Sequence, residues 1–178
     1  LPPEEEAQLP PALEPLLVVA RQAAEHGPVH FQAEVKEDST YYGTSSRKGQ
    51  TDVKGIIQQI KADAITVDVA LEGSTLTFAV DKELAPHLSA DALGALLKQA
   101  LAALGPDDKA SLPAALNGKS LTLAVLDTST HLFENHIGDN FIGINRSVFA
   151  LGAPHRNVAL QVGLIHELRH EALGVGAD

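Results

Sequence analysis

The chain has no cysteine, no methionine and no tryptophan, and only five phenylalanines and two tyrosines in 178 residues. Without cysteine, neither a disulfide scaffold nor a thiolate metal site can form, so any metal must be held by histidine, carboxylate or water. Basic residues are also scarce: 13 Lys and Arg stand against 23 Asp and Glu, a net charge of -10. Such a surface repels phosphate backbones and anionic lipid, which excludes nucleic acid as the expected partner. No apolar run reaches the roughly 18 residues that a membrane span requires, so no membrane insertion is expected. The sequence carries no internal repeat, no phosphate-binding or dinucleotide fingerprint and no G-x-S-x-G motif. It opens on Leu1 with no methionine anywhere and ends at Asp178. We therefore expect a processed or excised segment whose targeting signal has been removed, which favours an extracytoplasmic or secreted protein.

What is present is globular. Apolar residues make up 44% and charged residues 20%, enough for one core at this length. Residues 1–10 are rich in proline and glutamate and read as a tail or linker, leaving 11–178 as a single domain. A helix is expected over 11–27 and a strand over 29–35, followed by a polar loop holding Tyr41 and Tyr42. The segment 51–63 reads as a helix capped by Thr51, although its β-branched content also suits a strand. Residues 64–80 form the clearest hairpin, two alternating runs joined around Glu72 and Gly73. An amphipathic helix capped by Ser89 should stop at Gly105. Strands over 120–127 and 140–145 then lead to a last helix from about Pro154 to Leu173. This order predicts an α+β fold with a mixed or antiparallel sheet.

The last helix is the anomaly. On a wheel at 100° per residue, Val158, Leu160, Leu164, Ile165 and Leu168 make it apolar on nearly every side. Yet it carries His166, Glu167 and His170 in the pattern H-E-x-x-H, and ionisable groups buried in such a helix cost several kcal/mol unless paired or bound to metal. Histidines at i and i+4 project from one face and can reach one zinc ion at about 2.0–2.1 Å. The glutamate after the first histidine points about 100° round, toward the open side of such an ion. There it can accept a proton from a water whose pKa zinc lowers to about 7. Gly174 and Gly176 then turn the chain back.

The segment "GLIHELRHEALG" resembles the active-site helix of the zincin metallopeptidases, and the likeness covers mainly residues 139–174. The resemblance implies His166 and His170 as zinc ligands, Glu167 as general base and a peptide or protein substrate. Zincins place an antiparallel edge strand before this helix, and substrate pairs with it. Residues 140–145 are expected in that part, with Phe141, Ile142, Gly143 and Ile144 lining the substrate and Gly143 allowing close backbone approach. The metzincin continuation is broken: its glycine and third-ligand positions hold Leu173 and Gly176. Glu171 sits about 100° from His170 and is a poor ligand, so Asp178, or a residue beyond it, is the candidate third ligand. "HLFENH" places His131, Glu134 and His136 nearby, either around the metal or in a solvated turn. Residues 118–178 would form the catalytic half, and 11–105 either its scaffold or a prodomain that occludes the site. The alternative is a peptide- or protein-binding or inhibitory module whose metal site is degenerate or structural.

Overall fold

A computed structural model describes residues 45–129 and 131–174. The expected helix over 11–27, the strand over 29–35, Tyr41, Tyr42 and Asp178 lie outside these residues. The fold is α+β: helix α1 (Val53–Lys61), strands β1 (Ile65–Leu71) and β2 (Ser74–Val80), helices α2 (Ala90–Ala102) and α3 (Pro106–Leu116), strands β3 (Leu121–Leu126), β4 (Phe133–His136) and β5 (Phe141–Asn145), and helix α4 (Ala153–Leu173). One sheet runs in the order β1-β2-β3-β5-β4. Strands β2, β3 and β5 are parallel, and the two outer strands, β1 and β4, run antiparallel to their neighbours. Among the described residues no helix is long and apolar enough to cross a membrane.

Local chemistry explains most boundaries. The β1–β2 turn places Glu72 at φ 45° and Gly73 at φ 86°, the pair of positive values that a two-residue hairpin of matching twist needs. Ser89 caps α2 as expected, accepting from the Ala92 amide at 3.1 Å. Helix α1 is capped by Asp52 rather than Thr51, because the Asp52 carboxylate is the acceptor that reaches the Gly55 amide, at 3.2 Å. Gly105 does not stop α2, which closes on Ala103; it opens α3, with Pro106 in the first helical position. The sequence reading passed over α3 because "PDDKASLPAAL" holds an internal Pro113 and has no apolar stripe.

The expected position of strand 140–145 is corrected. Strand β5 lies inside the sheet, flanked by β3 in parallel register (Leu123↔Ile142) and by β4 in antiparallel register (Asn135↔Ile142). Phe141, Ile142, Gly143 and Ile144 belong to a strand that is paired on both sides and cannot line an edge groove. Gly143 makes room for the chain's own side chains: a Cβ there would sit 2.5 Å from Leu126 Cδ1 and 3.2 Å from Glu134 Cγ. The antiparallel edge strand is β4, four residues long and polar enough ("FENH") to read as a turn.

The main core fills one face of the sheet, where helices α2, α3 and α4 cover Val67, Val69, Phe78, Leu123, Val125, Ile142 and Ile144. The other face carries a smaller cluster in which Ile56 and Ile60 of α1 meet Ala124, Leu126 and Phe141. The early hairpin and the later strands thus share one sheet and one core, so residues 65–102 are part of the scaffold on which α4 rests.

An ionic network closes the carboxyl ends of β2 and β3. Arg47 grips Asp81 with two hydrogen bonds of 2.8 and 2.6 Å, both side chains buried, and Asp81 also accepts from the Val125 amide at 3.0 Å. Glu83 bridges Arg47 and Arg146, and Arg146 reaches Asp127. The Lys48 amide and the Arg146 guanidinium hold the Asp127 carboxyl below its usual range. A depressed folded-state pKa adds stability above the unfolded value that is lost as pH falls through the folded one. Asp127→Asn should therefore flatten the acid limb of the stability curve below about pH 4, measured by urea unfolding at stepped pH; an unchanged limb would contradict it.

Helix α4 meets the edge strand where a glycine permits it. A Cβ on Gly163 would stand 2.4 Å from the Phe133 ring. Gly163→Ala should cost about 1–3 kcal/mol through overpacking. Adding Phe133→Leu should restore most of that loss in denaturant titrations, and no recovery would contradict the contact.

Candidate metal centre

Helix α4 spans 21 residues, with Pro154 in its first turn and Gly174 closing it at φ 66°, a left-handed cap that glycine adopts without strain. Leu160, Leu164 and Leu168 all enter the main core, each worth about 1.5–3 kcal/mol of burial. Gly163, His166, Glu167 and His170 share the adjacent face, within about 100° of one another, where Phe133 marks the side facing β4.

His166, Glu167 and His170 are brought together as the motif spacing requires. Each offers a ligand atom within 4.8 Å of the others, and all three are buried. The two Nε2 atoms are 2.9 Å apart, with ring centroids at 4.6 Å and planes inclined by 63°. At that distance one ring can donate to the other. Tetrahedral coordination with bonds of about 2.0–2.1 Å separates two nitrogens by roughly 3.4 Å, so a shift of about half an ångström fits both rings to one ion. The Glu167 Oε1 atom is 3.7 Å from His166 Nε2, beside the converging nitrogens. His170 lies in the last turn of the helix, where the backbone dipole favours positive charge.

The remaining ionisable groups of the helix point elsewhere. Glu171 is buried outside the three-residue group and accepts from Asn135 Nδ2 at 2.9 Å. Burial pushes its carboxyl up to about 7, against the opposing pull of the Asn135 bond and His170. Asn135 Nδ2 also donates to the Phe141 carbonyl at 2.9 Å, which ties the β4–β5 hairpin to α4. On the opposite side Arg169 pairs with Asp108 of α3 at 2.8 Å, both 1% exposed. Desolvation raises the Asp108 carboxyl and lowers the Arg169 guanidinium from their usual values, while their mutual attraction opposes both shifts.

Of "HLFENH", Phe133 and Asn135 face α4, whereas Glu134 and His136 face away from it. Glu134 accepts from Ser45 Oγ at 2.5 Å, and His136 meets the Phe141 ring edge-on. The sequence reading singled out Glu134 and His136 and missed Asn135 between them. It also missed Asp108, which reads as an ordinary first-turn acid of a helix that has no pattern to announce it.

If the two imidazoles converge on an ion, His166→Ala and His170→Ala should each lower bound zinc by at least about tenfold at micromolar metal. Elemental analysis with circular dichroism checks this. Equal metal content in wild type and both folded variants would contradict it. Comparison with family models, curated proteins and solved structures found no match.

Proposed function

We propose that the protein is a zinc-dependent metallopeptidase of the zincin type. The observation that carries the reading is the convergence of His166 and His170 Nε2 atoms at 2.9 Å, with the Glu167 carboxylate beside them, on a helix packed against an antiparallel edge strand. The donor set suits zinc: two neutral imidazoles, with the carboxylate next to them kept for proton transfer.

In this reading His166 and His170 hold the ion, and the third protein ligand lies outside the described residues, with Asp178 the candidate. Zinc supplies Lewis acidity and a water that is acidic enough to react near neutral pH. Glu167 takes the proton from the attacking water and delivers it to the departing amine. Buried at the ligand nitrogens, it is placed to exchange protons over short distances rather than to bind substrate. Strand β4 is at the margin of the sheet among the described residues, and an extended peptide would pair with its outer edge. The scissile bond would then lie along the outer edge of β4 near His166, the most exposed of the three motif residues at 8%.

Glu167→Gln separates this reading from a binding module with a structural metal. For a peptidase, the variant should keep its zinc and its fold while peptide hydrolysis falls by about 10²–10⁴-fold. A peptide-library digest with parallel metal analysis reads both. Cleavage by the variant at the wild-type rate, or a zinc-loaded wild type that cuts nothing and binds peptide through β4, would contradict the catalytic assignment.

A further inference from the structure

We propose that Asp108 and Asn135 are positioning residues which clamp α4 from opposite sides at the level of His170 and so fix the rotation at which the two imidazoles converge. The inference rests on the metal-site reading, but half of its test does not require a metal.

Apolar packing sets the rotation of α4 only coarsely. Gly163 must face Phe133, but Val158, Leu160, Val162, Leu164 and Leu168 are all buried, so a small turn keeps most apolar contacts. The site tolerates no such slip. A rotation of about 20° carries a ring nitrogen about 6 Å from the helix axis through about 2 Å, against the roughly 0.5 Å that a ligand constellation allows. Polar contacts then refine the phase, and two stand where they are needed. Arg169 and Glu171 flank His170 by about 100° on either side. Arg169 is held by Asp108 of α3 at 2.8 Å, and Glu171 by Asn135 of β4 at 2.9 Å. Asn135 is itself fixed by its bond to the Phe141 carbonyl at 2.9 Å, so this pin is anchored in the sheet rather than in a mobile side chain.

A stability role does not account for the Asp108–Arg169 pair. Replacing a buried ion pair by apolar side chains of similar volume is often neutral or stabilising, whereas removing one partner leaves a buried charge. What such a pair supplies that a leucine cannot is an attraction toward one side of the helix, and Arg169 lies inside the H-E-x-x-H segment itself.

The discriminating variant is therefore the double substitution Asp108→Leu with Arg169→Met, which removes both charges of the pair. We expect an equal or higher Tm together with zinc and cobalt affinities reduced roughly 10–100-fold, and an altered visible spectrum of the cobalt form. In the metal-free protein, imidazole nitrogen NMR should show the contact between His166 and His170 Nε2 in wild type and its loss in the variant. A well-folded variant with wild-type affinity and an unchanged imidazole spectrum overturns the clamp. A wild type that takes up no metal sinks the metal reading, and the metal-free spectra then decide the clamp by themselves. Should the double variant fail to fold, Asp108→Asn with Arg169→Gln replaces it, removing the attraction while keeping polar side chains of similar size. Affinity and spectrum identical to wild type in that variant would overturn the proposal as well. Asn135→Leu probes the opposite pin by the same two readouts, and wild-type values there would remove Asn135 from the clamp.

Discussion

Burying α4 on nearly every side forces its ionisable side chains to find partners in the protein. Five of them fall within six residues, from His166 to Glu171. Water cannot satisfy them, so the surrounding elements are arranged to do so. Helix α3 presents Asp108 to Arg169, and the edge strand presents Asn135 to Glu171. The imidazoles of His166 and His170 meet each other. The sheet order serves the same end: β4 lies antiparallel at the margin, with Phe133 against Gly163 and Asn135 one pleat further along. Were Gly163 any larger residue, the helix and the edge strand would be driven apart, and the Asn135–Glu171 bond with them.

This arrangement relates the two parts of the proposed activity. Proton transfer needs Glu167 beside the ligand nitrogens, and peptide recognition needs an unpaired strand edge at a fixed height above them. In that reading a single contact region between α4 and β4 would set both distances. The charged network around Asp81 stands apart from this region, at the carboxyl ends of β2 and β3, and anchors the segment around Arg47 to the sheet.

The sequence made some of this legible and hid the rest for identifiable reasons. The β1–β2 hairpin, helix α2 and helix α4 announce themselves through period and caps, which are local properties of the chain. The grouping of His166, Glu167 and His170 follows from helical spacing alone. Position within a sheet is not local: β5 resembles an edge strand because a short strand leads into α4. It becomes interior only because "FENH", with little β propensity, is recruited by pairing with β5 and by Phe133 and Asn135 packing on the helix. Helix α3 was hidden by Pro113 and by the lack of a stripe, and Asp108 was hidden with it. A buried acid and a buried amide signal their role only through the side chains opposite them, and those come from residues dozens of positions away.

The central claim is that His166 and His170 share one ion, and X-ray absorption at the zinc edge of the purified, metal-loaded chain tests it most directly. The account predicts first-shell nitrogen at about 2.0–2.1 Å, with the outer-shell scattering of two imidazole rings, falling to one ring in either histidine variant. A first shell of oxygen without imidazole scattering, or the same spectrum after both histidines are replaced, would contradict it.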